Sequence, residues 1–329
     1  MASAYASVLD DLGRRFEVIG RGRGSAATFE SRCGHPVRTG GIGRALEEVS
    51  APEAAIVAVT VDQLAETACA LLHAGVSRIL LEKPGGLDSE ELGTVNKAAQ
   101  GASVVIAYNR RQYASVRAAR RMIDEDGGVT SFTFEVTEWP HASEPVQVTE
   151  AIRRKWFLAQ SSHVVDLAFH LGGRPADWQS WTDGSLPWHR NAARFAGAGV
   201  TDDGATFSYH GDWDGPGRWG LEILTRKRRL ILQPLEELRF MPLGTLNIST
   251  VTLEDDLAAR FKPGIHRQTA AFLEEDDLVA CLIADHKDHI VDYELMAGYR
   301  CAAFLPSSPH DPDPRAYPTR TFAPSAANP

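Results

Sequence analysis

The chain lacks the features that membrane, nucleic-acid-binding and disulfide-built proteins depend on. No apolar run approaches the ~18 residues that mark a membrane helix, and Met1 is not followed by a basic stretch and an apolar block, so neither a span nor a signal peptide is expected. Basic residues are the minority, 34 Lys and Arg against 43 Asp and Glu, and the net charge of −9 disfavours a phosphate backbone as partner. The local exception, Arg226-Lys227-Arg228-Arg229, lies inside an alternating stretch and reads as a solvated hairpin end. Cysteine is scarce: Cys33, Cys69, Cys281 and Cys301 form no CxxC pair, which gives no support for a zinc site and fits a reducing compartment. Cys69 and Cys281 fall in apolar stretches expected to be helical, where a thiol acts as a small hydrophobe. A cytoplasmic protein with no metal, nucleic-acid or membrane partner is expected, and no internal repeat is visible.

What is present is enough apolar sequence for two domains in 329 residues. Ala2, Tyr5, Val8, Leu9 and Leu12 share one helical face, and Gly13 closes that helix. Phe16–Gly20 reads as a strand, Arg21–Ser25 as a glycine-rich turn and Ala26–Arg32 as a helix. Then Ala54–Val59, Arg78–Glu82 and Ala102–Ala107 are apolar runs of the kind buried on both faces of a parallel sheet, with helices over Val61–Ala74 and Ser89–Ala99 between them. After Tyr108 the pattern changes. A helix over Ser115–Glu125 precedes alternating stretches at Thr130–Trp139, Trp178–Thr182, Ala205–Trp213, Trp219–Thr225 and Arg229–Gln233, with helices around Trp156–Leu171 and Leu278–Leu282. The expected architecture is a Rossmann-like α/β domain (1–112) with a parallel sheet, then an α+β domain (113–305) with an open, mostly antiparallel sheet. A proline-rich tail (306–329) follows.

The chemistry gathers where parallel strands end, since ligands of open α/β sheets sit above the carboxyl ends of the strands. Glu82-Lys83-Pro84 occupies such an end, and a lysine there is suited to exchange a proton with a substrate hydroxyl if burial lowers its pKa. From position alone, a surface lysine beside a turn is the competing reading. The run ILLEKPGGL, followed by VVIAYNRR, SSHVVDLAFHLGG and FKPGIHRQTAAFL, resembles the Gfo/Idh/MocA family of sugar and cyclitol oxidoreductases over about Ala2 to Leu305. That resemblance implies an NAD(P)-dependent oxidoreductase of a sugar-like hydroxyl, assembled as a homo-oligomer through its open sheet. It implies Lys83 and His163 as catalytic groups, and Asn109, Arg111, Tyr113, Glu138 and Asp166 as substrate contacts. Cofactor contacts would be Ala2, Arg21, Arg23, Ser25, Ala58, Thr60, Glu82, Lys83 and Asn109. It also exposes a departure: many members carry an aspartate four residues before the histidine, where this chain has Ala159, leaving Asp166 or Glu138 to compensate.

A second departure lies at the start. The family opens on a strand and G-x-G-x-x-G/A, whose glycines let the backbone reach the pyrophosphate at a helix N-terminus. Here the first residues already read as that helix, with Ala2 at the last position of the fingerprint, and Gly20-Arg-Gly-Arg-Gly24 follows the second strand rather than the first. The first strand is central in the usual order, so strands 16–20 and 54–59 would lack a shared neighbour. Either they re-pair or the natural product starts upstream of Met1. Loss of cofactor binding, leaving a sugar-binding partner protein or a nonredox lyase or isomerase, is the alternative. Where NAD-selective folds place an acid, this chain has Arg21, with Arg23 and Ser25 following, groups that suit the 2′-phosphate of NADP.

Overall fold

The computed structural model describes residues 1–138, 148–274 and 280–300. The first half alternates helix and strand: α1 (Ala2–Asp11), β1 (Val18–Gly20), α2 (Arg23–Cys33), β2 (Val37–Thr39), α3 (Gly41–Glu48), β3 (Ala54–Val57), α4 (Leu64–His73), β4 (Arg78–Glu82), α5 (Ser89–Ala99) and β5 (Ser103–Ala107). All strand pairs here are parallel. β4 is the buried centre, with Ile79, Leu80 and Leu81 excluded from solvent by neighbours on both edges and helices on the faces. Two details differ from the sequence expectation. α2 begins at Arg23, so only Arg21 and Gly22 remain as turn. β2 and α3 also fall in a segment whose half-buried Val37, Arg38 and Thr39 show no alternation.

The parallel sheet is split. β1 pairs only with β2, and β3 pairs with β4; among the described residues no strand joins β1 to β3. Among the described residues the two strands do not pair with each other. Their solvent exposure records it: Ile19 is 38% exposed, and Ala54 to Ile56 are only half-buried.

After α6 (Ala114–Asp126) comes an eight-stranded mixed sheet. Its strands are β6 (Ser131–Glu135), β7 (Pro175–Asp183), β8 (Arg194–Thr201), β9 (Thr206–Asp212), β10 (Gly220–Leu224), β11 (Arg228–Leu232), β12 (Arg239–Pro242) and β13 (Ser249–Thr250), in the order β13-β12-β11-β10-β6-β9-β8-β7. Every neighbouring pair is antiparallel except β6 with β9. That register sets Phe132 beside Phe207 and Phe134 beside Tyr209, with rings stacked at 5.6 and 5.2 Å between centroids. Such pairs contribute about 0.5–1.5 kcal/mol each beyond their buried area. β8 had no legible strand pattern because its interior is small: a Cβ at Gly197 would come within 2.3 Å of the Tyr209 ring.

Helices α7 (Glu150–Arg154) and α8 (Ser162–Gly172) are joined through a π-helical turn at Phe157–Ser161, and α8 covers the sheet at β6 and β10. α9 (Asp256–Arg260), α10 (Ile265–Glu274) and α11 (Ile283–Met296) follow. Of the segment expected as a helix over Leu278–Leu282, residues up to 279 lie outside the described ones, while 280–282 are not helical: Leu282 bridges β5 at Val105, and the helix starts at Ile283. Cys281 is therefore buried beside β5 rather than in a helix. Trp139, expected in the β6 strand, also lies outside the described residues. The basic hairpin end between β10 and β11 is anchored as well as solvated, since Arg228 reaches Asp126 at 2.7 Å. Among the described residues no helix is long and apolar enough to cross a membrane.

Candidate active site

A cavity of about 630 Å³ opens beyond the carboxyl ends of β3 and β4 and is roofed by the mixed sheet. Lys83 enters it directly after β4, at a peptide bond to Pro84 that is cis. Its Nζ donates to the carbonyl of Ala159 at 2.5 Å. That carbonyl belongs to the π-helical turn, and turns of this kind interrupt the regular ladder and recur at functional sites. Ala159 thus meets the lysine through its backbone rather than its side chain. Burial pushes the Lys83 ammonium down to about 8, with Glu82 and Glu138 opposing the shift and Arg110 and Lys262 adding to it.

Glu138, just past the end of β6, also lines the cavity and is 7% exposed. Its Oε1 accepts from the Ser161 hydroxyl at 2.6 Å. Burial pushes its carboxyl up to about 7 against the pull of Ser161 and Lys83. One π-helical turn therefore presents a carbonyl to the lysine and a hydroxyl to the glutamate. The two groups titrate close to neutrality, as general acid–base work requires. Glu82, a second carboxylate of the lining, is committed to the Tyr5 hydroxyl at 2.7 Å, which Gln268 also contacts at 3.2 Å.

The other expected residues fall into two groups. His163 lies on α8, packed between Tyr108 and Trp219 with ring centroids 6.0 and 6.1 Å away. It is buried, its Nδ1 has no partner among the described residues, and it is absent from the cavity lining. Burial, with Arg110, Lys83 and Lys262 nearby, holds its pKa well below the usual value, so the imidazole is neutral. Arg111 and Asp166 pair with each other through two bonds of 2.6 and 2.9 Å, both buried. Asn109 donates to the Pro263 carbonyl at 2.9 Å, and Tyr113 packs beside Arg110. None of these four lines the cavity.

On the cofactor side, Thr60 lines the cavity and Ala58 packs just beneath, at the end of β3. Met1 lines it too, so the start of α1 faces the same space. Ala2 is exposed there, and no side chain caps the helix, which leaves its first amide N–H groups available to an anion. Arg21 lies at the next turn, donating to Gln63 at 2.8 Å, with Arg23 and Ser25 exposed beside it.

Sequence reasoning missed Arg110, Trp156, Arg218, Trp219 and Glu236, all of which line the cavity. Arg110 stands in the NRR run beside Arg111, and nothing in the sequence tells the two apart. Trp219 stands at the head of the stretch Trp219–Thr225 expected as a strand, and nothing in the sequence marks it or Arg218 as facing a ligand.

No family model matches the chain, and no curated protein matches it in sequence. Solved structures match in fold. A levoglucosan dehydrogenase in complex with NADH and levoglucosan superposes with a TM-score of 0.73 at 16% identity, covering 91% of this chain and 95% of that one. The UDP-N-acetylglucosamine 3-dehydrogenase of Acidithiobacillus ferrooxidans gives 0.69 at 15% identity over 89% and 92%. An oxidoreductase of Desulfitobacterium hafniense described as NADPH-dependent gives 0.74 at 14% identity over 90% and 91%. The fold is therefore the two-domain arrangement these proteins share.

Proposed function

We propose that the chain is an oxidoreductase that moves a hydride between a nicotinamide cofactor and a carbon bearing a hydroxyl of a sugar or cyclitol. The observation that carries this reading is the pairing of Lys83 and Glu138 across one cavity, both held by the π-helical turn and both poised near neutrality. The likeness in fold to dehydrogenases of sugars supports it. The nicotinamide group supplies the hydride acceptor or donor when bound. Val59, Thr60 and Glu82 would border it, and the start of α1 would face its phosphates.

This chain's own residues handle the proton. Lys83 holds the reacting hydroxyl, its ammonium kept in place by the Ala159 carbonyl. Glu138 takes the hydroxyl proton as the carbonyl forms and returns it in the reverse direction, filling the role the absent aspartate leaves. His163, neutral and enclosed, sits behind this pair as a low-charge wall with one unused ring nitrogen. Arg21, Arg23 and Ser25 favour NADP over NAD, because a guanidinium pairs with a 2′-phosphate through two charge-assisted bonds.

The open edges of β1 and β3 favour a second reading, in which the acid/base pair serves a nonredox lyase or isomerase reaction. A titration of nicotinamide fluorescence separates the two. Saturable binding, tighter for NADPH than NADH, is expected, and Arg21→Ala should shrink that preference about tenfold or more. Failure of both nucleotides to bind, with sugar binding intact, would leave the nonredox reading.

A further inference from the structure

We propose that Arg110 forms the floor of a subsite for an anionic substituent, so that this cavity takes a sugar acid or a sugar phosphate in preference to a neutral sugar. The inference rests on the sugar reading of the same cavity and adds the substrate's charge. Arg110 lies in the short 3₁₀ turn Asn109–Gln112 after β5. Its guanidinium stands 4.8 Å from the Trp219 ring centroid and 5.9 Å from that of Tyr113. Among the described residues it has no hydrogen-bonded or ion-pair partner, and its enclosed Nε is unsatisfied. The next residue shows the contrast: Arg111 spends two hydrogen bonds on Asp166.

Arg110 is half-buried, and an enclosed guanidinium nitrogen without a counter-ion is costly. Stacking on aromatic rings offsets only about 0.5–2 kcal/mol. Burial accordingly pulls the Arg110 guanidinium below its ordinary value, with Tyr113, Glu236 and Glu138 opposing. No acid nearby is placed to neutralise it: Glu138 is engaged by Ser161, Glu82 by Tyr5, and Glu236 is exposed on the rim. Lys83 and Arg218 add positive charge to the same walls. The planar fork of a guanidinium matches a carboxylate or a phosphate through two parallel bonds.

The test is calorimetric titration of the full chain with matched probes: D-glucose, D-glucuronate and D-glucose 6-phosphate, and the three galacto counterparts. An anionic probe should bind at least about tenfold more tightly than its neutral partner. Arg110→Met should weaken that probe about ten- to a hundredfold and the neutral sugar far less, while Arg110→Lys keeps part of the preference. Melting curves of both variants confirm that they fold. The uronate and phosphate arms identify which anion is held. Equal affinity for neutral and anionic sugars, an equal loss of both in Arg110→Met, or binding of none of the anions would each overturn the subsite. Because the readout needs no turnover, anion binding without hydride transfer keeps the subsite and defeats the redox reading. Oxidation of neutral sugars alone does the reverse.

Discussion

Glu138 is where the chemistry and the stability of this molecule meet. Its carboxyl is raised to about 7 chiefly by burial. Below the ordinary glutamate range both folded and unfolded states are protonated, and the group costs folding nothing. As pH rises from about 4.5 to 7 the unfolded chain ionises first, and the cost grows until the folded carboxyl ionises too. Glu138→Gln should therefore melt together with the wild type at pH 4 and above it at pH 8, the difference being of order 2–3 kcal/mol. Turnover should move the other way, falling about 10²–10⁴-fold and losing the acid limb near pH 7 that is expected of the wild type. A substitution that only loosened the fold would leave that limb in place.

The same scale explains what could be read ahead of the structure. Lys83 was legible because it follows five residues of apolar strand, and such a strand end has one destination in an open α/β sheet. Arg110 and Arg111 were not separable. In a turn of about three residues, neighbours point roughly 120° apart, and nothing local says that one faces Asp166 and the other the cavity. Glu138 was legible as a candidate, but its engagement by Ser161 depends on the π-helical turn, a tertiary feature that no periodicity announces.

Among the elements, the informative place is the space between β1 and β3. Each strand of a parallel sheet offers hydrogen bonds to both sides, and here β3 spends one side on β4 and, among the described residues, finds no strand on the other. Hydrogen exchange should divide β3 residue by residue. Amides directed at β4 should be protected nearly as well as those of β4 itself, and those directed at β1 should exchange as in an open loop. Uniform protection along Ala54–Val57 would contradict the split sheet. The alternation of strand and helix on either side of this gap was plain in the sequence, as were β4, α5 and α6 almost to the residue. β2, α3 and β8 were not, for a shared reason. Their burial is partial, or their side chains are glycine and alanine, and a pattern of apolar and polar positions needs side chains large enough to differ.

For the whole molecule, the two halves meet over one cavity. The first supplies Lys83 and Arg110 from strand ends, and the second supplies Glu138 and Trp219 from the mixed sheet, with the π-helical turn fixing both reacting groups. Helix α11 ties the halves together by returning to pack on α5. Hydride transfer to or from the carbon that bears a sugar hydroxyl is the activity proposed for this cavity. It is tested most directly by following the absorbance of reduced nicotinamide while the full chain receives NADP or NAD together with the matched neutral and anionic sugars. Sugar-dependent formation of reduced nicotinamide is expected, fastest with NADP and an anionic sugar and abolished by Lys83→Met. No sugar-dependent signal with either nucleotide, or a signal that Lys83→Met leaves intact, would contradict it.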